Sequence, residues 1–198
     1  MADSKTLKIV APKDAKSYSD WPIGISGPPA IGKSTIGRRV AEELNTPFCD
    51  LDDLIAKEIG LETTKEVIEK HGRPYFWEVE HRVLKELLQK KEGKYVLAFS
   101  GGVICHRDTT SLKEKNKELI KKYVFHICLM PSPYLNEAVS ILWPRQKDDK
   151  RAVIKNSGHL RSYLEKRMSQ YTSGADRIIY TKQASVKEVI ATVLEIVN

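Results

Sequence analysis

The segment Gly27-Pro28-Pro29-Ala30-Ile31-Gly32-Lys33-Ser34-Thr35 admits few backbone arrangements. A short apolar run, Ile23-Gly24-Ile25-Ser26, leads into it and reads as a buried strand. Behind it Ile36, Val40 and Leu44 recur at helical spacing. A strand, a glycine-bounded loop and Lys-Ser at a helix start turn backbone N–H groups and a helix dipole toward one point. Such a point holds a polyphosphate, so the pattern implies a bound nucleoside triphosphate, ATP with Mg²⁺. Gly27 through Thr35 are the expected cradle, Lys33 the residue reaching the β- and γ-phosphates, and the Ser34 hydroxyl a metal ligand.

At 198 residues the chain suits one domain with a proper core. A 41% hydrophobic and 30% charged composition is that of an ordinary soluble globular protein. The three cysteines, Cys49, Cys105 and Cys128, are odd in number and lack paired metal-type spacing, which fits small core residues in a reducing cytoplasm. The N-terminus has no apolar signal core and no stretch is long enough to span a bilayer, so no membrane partner is expected. A net charge of +7 attracts polyanions, yet the lysines are interleaved with glutamates, as in Lys113-Glu114-Lys115-Asn116-Lys117-Glu118. No aromatic-interleaved basic strip accompanies them, so nucleic acid is not an expected partner. A monomer is expected.

Residues 1–20 are rich in Lys, Ser and Asp and read as an N-terminal extension to a single domain over 21–198. Within them Leu7-Lys8-Ile9-Val10 either belongs to a tail or adds an edge strand. Further strands are predicted at Pro47–Cys49, Tyr95–Phe99, Tyr123–Leu129 and Asp176–Tyr180. Short helices are predicted around Leu54–Ile59 and Lys65–His71. A longer one opens at Pro74 and is striped by Phe76, Val79, Val83, Leu84, Leu87 and Leu88. Later helices are expected over Asp108–Lys121, Ser132–Trp143, Gly158–Tyr171 and from Val186 onward. The charged stretch 144–157 between two of them reads as a mobile surface segment. Strands alternating with helices imply a parallel sheet covered on both faces.

Ligands of open α/β sheets gather at the carboxyl ends of the strands, where two further groups fall. Asp50 and Asp52 follow the second strand, one for the metal and one for an acceptor hydroxyl. Alternatively Asp52 or Asp53 only caps the following helix. Gly101-Gly102 follows the third strand, either as a tight turn or as backbone that approaches a small substrate closely. Arg145, Lys147, Lys150 and Arg151 in the charged segment are either a solvated loop or a closing lid that neutralises transition-state charge.

The loop Gly32-Lys33-Ser34-Thr35-Ile36-Gly37-Arg38-Arg39, then Phe48-x-Asp50-x-Asp52, Phe76-x-x-x-Glu80 and Gly101-Gly102 together resemble the shikimate kinase family. Lys150-Arg151, Arg167 followed by Tyr171, and Ala175-Asp176 extend the likeness across the chain from about Trp21 onward. The resemblance implies a three-layer α/β/α fold like that of nucleoside monophosphate kinases, with about five parallel strands. It implies ATP- and Mg²⁺-dependent phosphorylation of a small-molecule hydroxyl, with shikimate as the leading acceptor. By resemblance Asp50 assists the metal, and Asp52 contacts the acceptor and serves as general base. Gly101 and Gly102 line the pocket with Glu80 in support, Arg151 is the lid arginine, and Arg167 pairs with the acceptor carboxylate.

Three positions depart from the family pattern. Trp77 stands where a second carboxylate-binding arginine is expected, Ser100 replaces the first of three glycines, and Ala30 replaces a loop glycine. Arg73, one helical turn before Trp77, is a candidate replacement cation, and Arg145 a candidate for adenine stacking. Trp77 either packs or shapes the pocket for another acceptor, such as a cyclic polyol, sugar acid or nucleotide. A non-catalytic nucleotide-binding protein is the remaining alternative.

Overall fold

Apolar runs without polar alternation have two faces to bury, and here they form the middle of a single sheet. A computed structural model describes residues 7–198 apart from 14, 19–21, 91, 106–109, 148–153, 155 and 183. In chain order the elements are β1 (Lys8–Val10), β2 (Ile23–Ser26), α1 (Lys33–Glu43), β3 (Phe48–Asp50), α2 (Leu51–Ile59), α3 (Thr64–Lys90) and β4 (Val96–Ala98). There follow α4 (Thr110–Tyr123), β5 (Phe125–Met130), α5 (Leu135–Lys147), α6 (Ser157–Glu165), α7 (Met168–Thr172), β6 (Arg177–Tyr180) and α8 (Val186–Val197).

The sheet order is β1-β6-β5-β2-β4-β3. Strands β3, β4, β2, β5 and β6 are parallel, as expected, and β1 runs antiparallel to β6 at the edge. Alternate residues of β5 divide between the faces. Phe125, Ile127 and Leu129 pack with Ile36, Val40, Leu160 and Val193, whereas Cys128 and Met130 pack with Leu51, Val67, Phe76 and Ile120. Helices thus cover both faces in three layers. Among the described residues no helix is long and apolar enough to cross a membrane.

Where the elements depart from expectation, tertiary burial is the cause. The residues set apart as an extension include β1, whose three residues pair with Ile178, Ile179 and Tyr180. Asp50 caps α2, so that helix begins at Leu51 rather than Leu54. Gly72, at φ 83 and ψ 168, breaks α3 just before Pro74, which restarts it. Helix α5 does not stop at Trp143. Ala138, Leu142 and Gln146 recur at helical spacing and are each buried, and their packing carries the helix through Pro144 to Lys147. The start of the expected surface segment is therefore helical, and residues 148–153 and 155 lie outside the described part. The helix expected over Gly158–Tyr171 is two, α6 and α7, divided at Lys166 and Arg167.

One polar group sits in the sheet centre. His126 on β5 is 2% exposed. Its Nδ1 lies 3.3 Å from the Gly174 carbonyl, which only accepts, so Nδ1 carries the proton and donates. Nε2 then accepts from the Ser26 hydroxyl at 2.6 Å. The His126 backbone N–H donates to Asp176 Oδ2 at 2.8 Å, and Asp176 Oδ1 accepts from the Lys16 N–H at 3.0 Å, tying the N-terminal segment to the sheet.

Burial lowers the His126 pKa to about 4, against a small opposing pull from the Gly174 hydrogen bond. Between about 4 and the unfolded value near 6.5 the unfolded chain binds a proton that the folded one refuses. Stability from this group is therefore complete above 6.5 and lost as pH falls through that window, about 3 kcal/mol in all. Urea unfolding of His126→Gln should show a shallower fall than wild type from pH 6.5 to 4. Parallel curves for the two proteins would exclude His126 as the source.

Candidate active site

Strand register brings the chemistry-bearing loops to one edge. Ile25 of β2 is level with Ala98 of β4, which is level with Asp50 of β3. The phosphate loop, the Ser100–Gly102 turn and Asp50–Asp52 thus leave adjacent carboxyl ends, beside the point where the chain's connections diverge around β2.

The loop is shaped by its glycines. Gly27 has φ 142, and a Cβ there would lie 2.3 Å from the Leu129 carbonyl oxygen. Gly32, at φ 99, is the N-cap of α1 and supplies no side-chain cap. The first N–H groups of α1 are thus answered by no side chain of the cap residue and are available to an anion. Lys33 Nζ donates to the Pro28 carbonyl at 3.3 Å, which holds the ammonium over the loop. This cradle fits a polyphosphate. The Ser34 hydroxyl and the Asp50 carboxylate are hard oxygen donors of the kind Mg²⁺ takes alongside phosphates and water. Among the described residues no group of three or more His, Cys, Asp or Glu forms a metal cage.

Ala30 departs from the family's glycine, and the structure gives the departure a cost. It sits at φ 60, in the left-handed region. A Cβ is disfavoured there by about 1–2 kcal/mol, partly offset because glycine loses more freedom on folding. Ala30→Gly should raise unfolding stability by up to about 1 kcal/mol without weakening ATP binding. A clear loss of stability would show that the Ala30 methyl packs favourably.

On the acceptor side, the Asp pair divides its labour. Asp50 Oδ1 accepts from the Asp52 N–H at 3.0 Å and caps α2. The capping role considered for Asp52 or Asp53 therefore falls to Asp50. Asp52 is half-buried, and its pKa rises to about 7, first through burial and then through the neighbouring Asp50 charge. Lys33 opposes the rise and Glu80 adds to it, so Asp52 lies within electrostatic reach of both the phosphate loop and the inner end of the pocket.

Glu80 is fully buried and accepts a hydrogen bond from the Ser100 hydroxyl. The serine that replaces a family glycine thus engages this carboxylate. The next residue, Gly101, approaches the phosphate loop: a Cβ on it would lie 3.8 Å from Pro29 Cγ and 3.7 Å from the Tyr163 hydroxyl. Its carbonyl accepts from the Tyr171 hydroxyl at 2.7 Å and lies 3.2 Å from that of Tyr163. Arg167 donates to the Tyr163 oxygen at 2.7 Å, and its guanidinium carbon sits 4.2 Å from the centre of that ring.

The structure therefore brings together Lys33, Asp50, Asp52, Glu80, Gly101 and Arg167. Trp77 is 8% exposed and packs in the core with Phe76, Val79 and Leu84. Arg73 is exposed just beyond the Gly72 break, and Arg145 is exposed on the last turn of α5. Arg151 lies outside the described residues. Tyr163 was missed from sequence, although Tyr163, Arg167 and Tyr171 recur at four-residue spacing, a signal that marks one helical face.

A glycine-shaped phosphate loop facing a half-buried carboxylate, at the ends of parallel strands, defines a P-loop kinase acting on small molecules. The sequence profile of the shikimate kinase family matches residues 29–198. The shikimate kinase of Francisella tularensis subsp. holarctica is 29% identical over 172 residues, covering 85% of this chain and 89% of that protein. The structure of shikimate kinase from Acinetobacter baumannii in complex with shikimate superposes with a TM-score of 0.75 at 29% identity, covering 89% of this chain and 92% of that one. Shikimate kinase from Aquifex aeolicus gives a TM-score of 0.69 at 27% identity, over 88% and 94% of the two chains. The chain belongs to the shikimate kinase family. It is an ATP- and Mg²⁺-dependent small-molecule kinase.

Proposed function

We propose that this kinase phosphorylates shikimate, giving shikimate 3-phosphate and ADP. The observation that carries the reading is Asp52, raised to a pKa of about 7 beside the phosphate-loop Lys33. A carboxylate in that range is half ionised near neutrality and is matched to taking a hydroxyl proton as the new P–O bond forms. The backbone of Gly27–Lys33 holds the triphosphate, and the Lys33 ammonium balances charge on the transferred group. Ser34 and Asp50 would hold Mg²⁺, which would supply charge neutralisation for the phosphoryl group in transfer. Arg151 serves as the lid arginine, and Arg145 is the candidate for adenine stacking.

In the acceptor half, Arg167 pairs with the shikimate carboxylate, and Gly101 and Gly102 form the pocket wall against which the ring lies. Glu80 fixes that wall through Ser100. Trp77 is a packing residue in this reading, consistent with its burial, and Arg73 remains the candidate second cation. Cys49, Cys105 and Cys128 are free thiols, which suits a reducing cytoplasm.

The test is ADP release with and without shikimate, beside a panel of cyclic polyols, sugar acids and nucleotides. Shikimate-dependent release well above the panel is expected. Turnover of another alcohol with none of shikimate would overturn the acceptor and leave the kinase. Tight ATP binding without transfer to any acceptor would favour a nucleotide-binding protein.

A further inference from the structure

We infer that Tyr163 is a positioning residue for the acceptor site, holding Arg167 in the orientation that receives a carboxylate. The inference rests on the proposed role of Arg167 and adds a residue beyond those that carried the family resemblance.

An arginine that binds a carboxylate bidentately must have its planar guanidinium fixed in angle as well as position. Arg167 is poorly placed to fix itself. It lies in the two-residue break between α6 and α7, with φ −126 and ψ −16, outside regular helix. Its long side chain has many rotamers and is only half-buried.

Tyr163 removes that freedom in two ways. Its ring lies under the guanidinium, with the Arg167 carbon 4.2 Å from the ring centre, so the cation rests on an aromatic face. Its oxygen accepts from Arg167 Nη1 at 2.7 Å, which fixes rotation within the plane. That oxygen is itself anchored. It lies 2.9 Å from the Tyr171 hydroxyl and 3.2 Å from the Gly101 carbonyl, while Tyr171, 1% exposed, donates to the same carbonyl at 2.7 Å. Each hydroxyl carries one proton. With the Tyr171 proton on Gly101, the Tyr163 proton turns toward Tyr171 or Gly101, and the Tyr163 lone pair is left for Arg167.

The anchoring point matters. Gly101 lies in the turn after the carboxyl end of β4, beyond Phe99 and Ser100, and approaches Pro29 of the phosphate loop. A guanidinium referenced to that carbonyl is referenced to the donor phosphates as well. With Trp77 buried where a second arginine is expected, Arg167 is the cation that the described contacts hold at this carbonyl, so its preorganisation contributes to acceptor affinity.

Kinetics of Tyr163→Phe, Tyr163→Leu, Arg167→Lys and Tyr163→Phe/Arg167→Lys test this. Tyr163→Phe keeps the ring and should raise the shikimate KM about tenfold. Tyr163→Leu, losing ring and hydroxyl, should raise it about a hundredfold. The ATP KM should stay within about twofold in both, since the hydrogen bonds described for Tyr163 go to Gly101, Arg167 and Tyr171 and to no phosphate-loop group. In the Arg167→Lys background Tyr163→Phe should add little, because its effect passes through Arg167. A normal shikimate KM in Tyr163→Phe, with a raised one in Arg167→Lys, overturns the inference and spares the proposed function. An equal rise in both KM values with a lowered melting temperature also overturns it, since that pattern marks a merely structural residue. An unchanged KM in Arg167→Lys overturns the carboxylate reading and the inference together.

Discussion

Asp52→Asn is expected to lower kcat about a thousandfold while leaving ATP affinity within about twofold. The amide matches the carboxylate in shape and cannot take the acceptor proton. Asp52 sits near Lys33, so removing its charge leaves the ammonium, if anything, a better phosphate partner. The wild-type pH profile should carry the same signature. Because the folded pKa is about 7, kcat/KM should fall tenfold per pH unit below that value, and this limb should vanish in the variant's residual rate.

Stability should move the other way. A carboxyl raised in the folded state binds protons more tightly there than when unfolded, so its contribution falls as pH rises from 3.8 to about 7. Asp52→Asn should therefore be more stable than wild type above pH 7, as expected where a functional group is kept at a cost to the fold. Parallel loss of ATP binding and transfer would assign Asp52 to the nucleotide instead. An unchanged kcat would remove it from the reaction.

Gly27→Ala is expected to cost about 2–5 kcal/mol of stability and to abolish ATP binding. Its φ of 142 is strained for any residue with a side chain. The added methyl would also meet the Leu129 carbonyl at 2.3 Å, and that oxygen belongs to β5, which cannot yield without disturbing the sheet centre. Gly102→Ala is the matched control. A Cβ on Gly102 meets nothing within 4 Å, so its stability should stay within about 0.5 kcal/mol of wild type. Equal behaviour of the two variants in urea unfolding, or ATP binding by Gly27→Ala, would sink the steric account of the loop.

How much of this was legible from the chain depends on how local the cause is. The phosphate loop follows from glycines, a lysine and a serine within nine residues, with strand and helix signals on either side. The stripe from Phe76 to Leu88 and the apolar runs of β2, β4 and β5 are equally local, because one buried face imposes its period on the sequence. Asp50 and Asp52 stood out as carboxylates at a strand end, whereas the assignment of Asp52 to the acceptor, and Arg167 itself, came through a family likeness that spans most of the chain.

Other features had causes far away in sequence. Strand β1 exists because β6, some 170 residues later, offers an unpaired edge. Pro144 announces a helix end, and only the burial of Ala138, Leu142 and Gln146 overrules it. That Asp50 rather than Asp52 caps α2 depends on which carboxylate the backbone turns toward the Asp52 N–H. Helical spacing aligned Tyr163 with Arg167 and Tyr171, but the carbonyl that all three approach is Gly101, more than sixty residues earlier.

By itself, then, the sequence determined a phosphate-binding loop between strand and helix, and with it a nucleotide-dependent enzyme of parallel α/β type. Backbone sterics and hydrophobic periodicity act over a few residues and need no partner to be read. How the acceptor-side residues stand relative to one another was decided only by the tertiary structure. Their charges, hydroxyls and carbonyls come from α2, α3, the turn after β4, α6 and the α6–α7 break, and their energies depend on distances that exist only once the sheet has placed its strand ends side by side.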